Sequence, residues 1–187
     1  MAGNARFVAG KRVVPDEPKR RQELAQHQNP VAVVVSCSDS RVPPEIVFDQ
    51  DLGEIFVVRT AGNVVGDLEL GSIEYAVEHL GTPLIVVLGH QRCGAVTAAV
   101  KGGEPEGHVA AIVKAIAPAV TESKDQSGDA IDNAIRANVR DVVRQLRTSE
   151  PVLSHFTHDG KLKVVGGRYD LDTGNVELIG DDKAKHE

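Results

Sequence analysis

The sequence predicts an α/β protein with a central, mostly parallel β-sheet of four to five strands flanked by helices. Two observations support this prediction: short runs of β-branched apolar residues recur along the chain, and amphipathic helical patterns lie between and after them. Unbroken apolar runs are typical of strands that are covered on both faces. Their alternation with helices indicates parallel pairing through right-handed crossover connections.

The predicted strands are four short apolar runs, each bounded by polar or turn residues, at positions 31–35, 55–58, 84–88 and 162–165. The predicted helices span positions 68–80, 96–100, 109–120 and 131–146. In the last of these, apolar residues recur at helical spacing, while Arg136, Arg140 and Arg144 occupy another side. Polar stretches at 16–19 and 121–129 are predicted surface loops, and 181–187 a frayed tail.

Length and charge exclude several functional classes. A chain of 187 residues can bury a core of its own, so we interpret 1–187 as a single domain. A net charge of -6 argues against nucleic-acid binding, which requires clustered Lys and Arg. Neither a membrane-spanning apolar stretch nor a signal peptide is recognisable, and we therefore expect a cytoplasmic protein that does not enter the membrane.

Two cysteines and one histidine follow predicted strands. Cys37 comes after the first apolar run, and His90 and Cys93 follow the third. Functional side chains gather at the carboxyl ends of strands in open α/β sheets, so the three converge if these two strands are neighbours. Two thiolates and one neutral imidazole favour tetrahedral Zn²⁺ and leave a fourth position open, as in catalytic sites. The sequence therefore predicts one Zn²⁺ per chain.

A plainer alternative is that both cysteines are buried structural residues and that His90 is an ordinary turn residue. Taken singly, each residue favours this alternative. A disulfide enzyme is disfavoured because the chain contains no Cys-x-x-Cys motif.

Asp39 and Arg41 lie beside the first predicted ligand and are the predicted catalytic residues. Two positions apart in an extended segment, they project from the same side and can form a charge-assisted pair. A carboxylate held in this way can orient water at the metal, or it can bind the metal itself and close the site. The alternative is an ordinary surface ion pair, which contributes less than about 1 kcal/mol.

Two motifs resemble the signature pair of the β-class carbonic anhydrase family: CSDSR at 37–41 and GHQRCG at 89–94. Further segments, GNARF at 3–7, GEIFVVRTAGN at 53–63 and GSIEYAV at 71–77, also resemble family segments in order and spacing. The resemblance covers nearly the whole chain. It implies reversible hydration of carbon dioxide to bicarbonate and a proton by zinc-activated water, with the pair of Asp39 and Arg41 orienting the nucleophile.

The resemblance also implies an assembly, either a homodimer or a dimer of dimers (a homotetramer), with the active site at the subunit interface. At the matching positions, Gln28 would hydrogen-bond the substrate, and Phe56 and Tyr75 would line an apolar pocket. Ala61 would take a position often held by Val, and the amide of Gly94 would face bicarbonate. His79, four residues after Tyr75, resembles a proposed proton shuttle; the alternatives are His108, His155 and His158.

Two features depart from the family pattern. Some bacterial members hold an inhibitory bicarbonate with a Trp, an Arg and a Tyr. Arg59 and Tyr169 match the last two, but Val34 stands at the Trp position, so we expect this site to be absent or weak. The family commonly has a helix before the GNARF segment, and we expect that helix to be short or truncated here.

Two competing functions use the same residues. A hydrolase of carbon disulfide or carbonyl sulfide would keep the fold and the zinc, and access to the pocket decides between these substrates and carbon dioxide. A non-catalytic zinc-binding or redox-sensing module would have no need for Asp39 and Arg41, and both residues are present.

Overall fold

A five-stranded sheet forms the centre of the protein in a computed structural model that describes residues 1–13, 18–103 and 105–180. The strands are β1 (Ala32–Cys37), β2 (Ile55–Thr60), β3 (Leu84–His90), β4 (Lys163–Tyr169) and β5 (Val176–Ile179). The spatial order is β2-β1-β3-β4-β5, in which the first four strands in sequence are parallel and β5 is antiparallel to β4. The predicted fold class is confirmed.

The strand order creates a switch point between β1 and β3. The connection from β1 leads to β2 on one side, whereas the connection from β3 leads to β4 on the other side. Crevices for ligands open at such points, outside the carboxyl ends of the two strands. Cys37 and His90 are the last residues of these strands.

Eight α-helices surround the sheet in the described ranges. They are α1 (Ala2–Val8), α2 (Pro18–Leu24), α3 (Pro44–Val47), α4 (Asp67–Glu78), α5 (Gly94–Lys101), α6 (Val109–Ser123), α7 (Ala130–Thr148) and α8 (Val152–His158). A single 3₁₀ turn, Ala61–Asn63, follows β2. Among these helices, none combines the length and the apolar character required to cross a bilayer.

The helices cover the sheet on both faces. On one face, α4, α7 and α8 pack against β1, β3 and β4 through the main apolar core. On the other face, α1 and α3 pack around a smaller cluster that contains Val34 and Tyr169. Helix α7 is the longest, and its N-cap Asp129 accepts a hydrogen bond from the Asp132 N–H at 2.7 Å. Burial on both faces explains why the strands are continuous apolar runs.

Several predicted boundaries are wrong. The predicted loop at 121–129 begins too early, because α6 continues through Ser123, which is buried and bonds back to the Ala119 carbonyl. The predicted loop at 16–19 is partly helical, since α2 begins at Pro18; positions 16 and 17 lie outside the described residues, as does the predicted tail at 181–187. The GNARF segment lies within α1.

Candidate metal centre

Cys37, His90 and Cys93 meet at the switch point of the sheet. Cys37 ends β1 and His90 ends β3, and these strands pair in parallel with Ser36 opposite Leu88. Cys93 is the N-cap residue of α5, three residues after His90. Because the strands run side by side, residues separated by 53 or more positions in sequence end at the same edge of the sheet.

The three candidate ligand atoms form a compact group. One atom from each of Cys37, His90 and Cys93 lies within 4.8 Å of the others, and the two sulfurs are 4.0 Å apart. The residues are 5%, 0% and 1% exposed, respectively. In the part of the chain that the structure describes, this is the one such group of His, Cys and acidic residues. The donor set and its spacing suit a tetrahedral zinc site.

The imidazole of His90 is oriented for a cation. Its Nδ1 lies 2.9 Å from the Gln91 carbonyl oxygen, which places the ring proton on Nδ1 and the lone pair on Nε2. Nε2 is buried and has no hydrogen-bond partner among the described residues. A buried nitrogen without a hydrogen-bond partner destabilises the folded state unless an ion or ligand binds it. The residues present therefore fit a zinc ion, with Nε2 as the third ligand.

The two thiols are hydrogen-bonded to each other. Their mutual hydrogen bond lowers the pKa of Cys37 to about 4, and an N–H···S bond of 3.2 Å from the Gly62 amide acts in the same direction. The same bond between the sulfurs raises the pKa of Cys93, and burial adds to this effect. One thiolate is thus ready for a cation, and binding would displace the proton from the second.

Asp39 and Arg41 form a three-bond pair at the rim of the site. The Arg41 Nε and Nη2 atoms donate to the two carboxylate oxygens at 2.9 and 2.7 Å, and the Arg41 N–H donates to Oδ1 at 2.9 Å. This guanidinium holds the pKa of Asp39 well below its usual range. The Asp39 Oδ2 lies 3.7 Å from the His90 Nε2. An ionised carboxylate is thus fixed beside the ligand group.

Arg59 on β2 holds the backbone of residues 37–41, which we call the first metal loop. Its Nε donates to the Cys37 carbonyl at 2.9 Å and its Nη2 to the Asp39 carbonyl at 2.6 Å. The guanidinium that matches the Arg of the family's inhibitory bicarbonate site is therefore engaged with the chain itself. Its bonds fix the distance between the first ligand and the carboxylate.

The second metal loop, residues 90–93, is anchored to the turn between β4 and β5. Arg92, which has a φ of 54°, forms two bonds of 2.9 and 2.8 Å with the carboxylate of Asp172. The Gln91 N–H donates to the Tyr169 carbonyl, and its side-chain oxygen accepts from the Leu171 N–H. The residues between His90 and Cys93 are thus held by contacts with residues about 80 positions later in the sequence.

Comparison with known proteins identifies the family of this chain. A family model described as carbonic anhydrase matches residues 32–176. The carbonic anhydrase of Mycolicibacterium smegmatis is 45% identical over 181 residues, covering 94% of this chain and 88% of that protein. Carbonic anhydrase 2 of Mycobacterium tuberculosis is 44% identical, covering 94% and 87%. Among solved structures, a tetrameric β-carbonic anhydrase of Sordaria macrospora superposes with a TM-score of 0.81 at 26% identity, covering 88% of each chain.

The chain belongs to the β-carbonic anhydrase family. It is accordingly an enzyme of carbon dioxide hydration, and the Cys-His-Cys group described above could hold its metal ion. The resemblance found in the sequence motifs is confirmed.

Only part of the predicted β-carbonic anhydrase site lies near the metal centre of the same chain. Gly94 is exposed at the first turn of α5, directly after Cys93, and Ala61 follows the strand end that pairs with Cys37. Phe56, in contrast, pairs with Val33, which lies four residues before Cys37 on β1. Four residues of a strand span about 13 Å.

The remaining predicted residues accompany Phe56 or lie elsewhere. The Phe56 and Tyr75 rings are 6.5 Å apart, and the Tyr75 and His79 rings are 5.3 Å apart. Gln28 is exposed ahead of β1, at the opposite end of that strand from Cys37. The alternative shuttles His108, His155 and His158 are exposed at the start of α6 and on α8. Within one chain, therefore, the aromatic pair and Gln28 do not meet the ligand group.

Sequence reasoning missed the residues that hold the metal loops. Gly62 donates to a ligand sulfur, and Arg92 and Asp172 anchor the second loop. The glycine two positions after the end of β2 was a usable signal, since Gly62 adopts a φ of 70°. No pattern in the sequence indicated the pair of Arg92 and Asp172, because the two residues are remote in sequence.

Proposed function

We propose that this enzyme interconverts carbon dioxide and bicarbonate at one zinc ion per chain, held by Cys37, His90 and Cys93. The observation that carries the proposal is the convergence of two sulfurs and one free imidazole nitrogen beside a fixed carboxylate. Three protein ligands leave one tetrahedral position for solvent. When bound, zinc supplies the Lewis acidity that makes water a nucleophile near neutral pH.

Asp39 is proposed to select and orient the attacking water. Because Arg41 keeps it ionised, its carboxylate only accepts hydrogen bonds. A water that donates a hydrogen bond to Asp39 turns its lone pair away from the carboxylate and toward the substrate. Arg59 supports this geometry by holding the Asp39 carbonyl. The same carboxylate would close the site if it left Arg41 and took the fourth position at the metal.

A second copy of the chain is proposed to complete the substrate pocket. Phe56 and Tyr75 pack together but lie away from the ligand group of their own chain. In a dimer, the partner's pair could line the apolar side of the pocket, and its Gln28 could hydrogen-bond the substrate. The β-carbonic anhydrases of Sordaria macrospora are tetrameric, which is consistent with such an assembly. Dimer and dimer of dimers both satisfy this requirement.

The remaining assignments follow from the same arrangement. Ala61 and the Gly94 amide are proposed to contact substrate and bicarbonate, because Ala61 follows the strand end that pairs with Cys37 and Gly94 directly follows Cys93. His79 is proposed as the proton shuttle, since its exposed ring lies next to the ring of Tyr75, which is proposed to line the pocket. We also propose a cytoplasmic location, where thiols stay reduced, and no strong inhibition by bicarbonate, because Arg59 bonds to the backbone.

The test combines metal analysis with stopped-flow hydration of carbon dioxide. The unaltered enzyme should contain about one zinc per chain and hydrate carbon dioxide. Asp39→Asn should keep its zinc but lose about 100-fold in hydration rate, the size of loss that a misplaced reacting group causes. Ser40→Ala, an exposed neighbour in the same loop, should behave as the parent does. Zinc without hydration in the unaltered chain would contradict the proposal.

A further inference from the structure

The amide of Gly62 is aimed at the sulfur of Cys37. Its N–H donates to Sγ over 3.2 Å, within a 3₁₀ turn closed by a bond from the Thr60 hydroxyl to the Val64 carbonyl. Gly62 has a φ of 70°, in the left-handed region. A Cβ at this position would lie 2.7 Å from the Ile116 Cδ1. Conformation and space both require glycine here, and together they bring a backbone donor to a metal ligand.

Asn138 on α7 holds the other side of the same glycine. Its Nδ2 donates to the Gly62 carbonyl oxygen over 2.9 Å. Asn138 is only 3% exposed and lies between Ile135 and Val139 on the apolar face of the helix. Burying an amide costs free energy unless it is hydrogen-bonded. The buried polar side chain is therefore bonded to the residue that contacts the ligand, across 76 positions of sequence.

Building on the proposed zinc site, we propose that Asn138 is a positioning residue for the metal centre: it fixes Gly62 so that the Gly62 N–H hydrogen-bonds to the Cys37 thiolate. The chain of contacts runs from Asn138 Nδ2 to the Gly62 carbonyl, and from the Gly62 N–H to Cys37 Sγ. Asn138 itself takes part in no step of the reaction. It acts through a backbone amide on the electron density of one ligand.

The electronic effect has a definite direction. A hydrogen bond draws electron density from a thiolate, so the sulfur donates less charge to the metal and the metal stays more electrophilic. The surrounding cluster of buried apolar residues, which includes Val96, Ile116 and Ile135, keeps the dielectric low and strengthens the bond. Partners of this outer kind typically change metal affinity or activity by about 10- to 100-fold.

The experiment uses the full chain loaded with Co²⁺ in place of Zn²⁺. In Asn138→Leu, loss of the bond to Gly62 should weaken the N–H···S contact. The sulfur-to-cobalt charge-transfer band should then move to lower energy, because a richer thiolate gives up an electron more easily. Zinc affinity, measured by competition with a chromophoric chelator, should fall by about tenfold or more, because Gly62 and the contacted Cys37 are held less firmly and this loss outweighs the richer sulfur. Val143→Ala, a buried change elsewhere on α7, should lower stability without moving the band.

Each outcome has a defined meaning. An unshifted band in folded, metal-loaded Asn138→Leu would overturn the inference while leaving the zinc site intact, whereas absence of thiolate bands in the unaltered chain would overturn both. If Asn138→Leu does not fold, Asn138→Ala tests the same bond with less steric change. Independently, ¹¹³Cd-loaded unaltered protein should show coupling between the metal and the Gly62 amide proton, and its absence would also overturn the inference.

Discussion

Asp49 is a buried carboxylate that connects the N-terminal segment to the rest of the protein. Its side chain is fully buried, and it receives the Arg6 Nε at 2.6 Å, the Arg12 Nε at 3.4 Å and the Val13 N–H at 3.3 Å. Burial alone would raise the pKa of Asp49, but these donors outweigh burial and lower it below its ordinary value. The ionised form is therefore the one that the folded state stabilises.

This charge predicts a pH-dependent stability. A carboxyl whose pKa is lowered by folding stabilises the fold above its unfolded pKa, near 3.9, and loses that contribution as pH falls through the folded value. Asp49→Asn removes the charge, and Asn tolerates the φ of 48° at this position. We expect the variant to unfold at lower urea concentration than the parent at pH 7, with a gap that narrows below about pH 4.

The measurement is urea unfolding followed by circular dichroism at several pH values. Asp125→Asn, at an exposed position, is the control and should show no such gap. A difference between Asp49→Asn and the parent that stays constant from pH 7 to the acid limit would show that the charge is not responsible.

Single residues differ in how far sequence could predict their roles. The convergence of Cys37, His90 and Cys93 was predictable because candidate metal ligands belong to a few residue types and because both segments follow apolar strands. Asn138 was visible only as a polar residue on the apolar face of a predicted helix. Its target, Gly62, depends on a backbone conformation and on a contact that no local pattern encodes.

At the level of elements, α7 lies close to the sheet because two strand residues lack side chains. A Cβ on Gly89 of β3 would lie 2.5 Å from the Val139 Cγ2, and one on Gly166 of β4 would lie 2.7 Å from the Val139 Cγ1. Val139 thus occupies space that two glycines leave open. Since Gly89 precedes His90, this packing also fixes where β3 delivers a metal ligand.

Gly89→Ala should therefore destabilise the protein by about 1–3 kcal/mol, the usual cost of overpacking a core. The clash is specific, so combining it with Val139→Ala should cost less than the two changes summed, by at least about 0.5 kcal/mol. Urea unfolding of the parent, both single variants and the double variant measures this coupling. The same cycle with Val142→Ala, which does not approach Gly89, should be additive. Additivity with Val139→Ala would refute the contact.

Elements were predictable where they bury an apolar pattern. The four predicted strands match β1 to β4 within a few residues because continuous apolar runs specify buried parallel strands. Helix α2 was missed because none of its described residues is buried, which leaves no periodic signal. Strand β5 was missed because it is a short edge strand, four residues long, with two exposed positions.

For the whole molecule, topology assembles the metal centre but does not complete the pocket. Sequence motifs could predict that β1 and β3 deliver ligands to one place, because parallel strands end at one edge. They could not show from pattern alone that Phe56 and Tyr75 lie at another level of the sheet, since that depends on the register of β2 against β1. The same register makes a second chain necessary for the proposed pocket.

The surface of α4 is the proposed contact for that second chain. Leu68 is 84% exposed and lies two helical turns before Tyr75, which is 47% exposed, so both project from the same side of the helix. Leu68→Glu would place a carboxylate in an apolar interface. Burying an unpaired charge makes the free energy of association less favourable by several kcal/mol, and this weakens association by more than about 100-fold.

Sedimentation velocity should therefore show monomers for Leu68→Glu and a larger species for the parent. Hydration should fall steeply, because Phe56 and Tyr75 of a second chain no longer reach the metal centre, whereas zinc content should stay near one per chain because all three ligands come from one chain. Val109→Glu, at an apolar position on α6 that is 50% exposed, is the matched control and should leave both assembly and hydration unchanged. A monomeric Leu68→Glu that hydrates carbon dioxide at the parental rate would show that one chain suffices for the pocket.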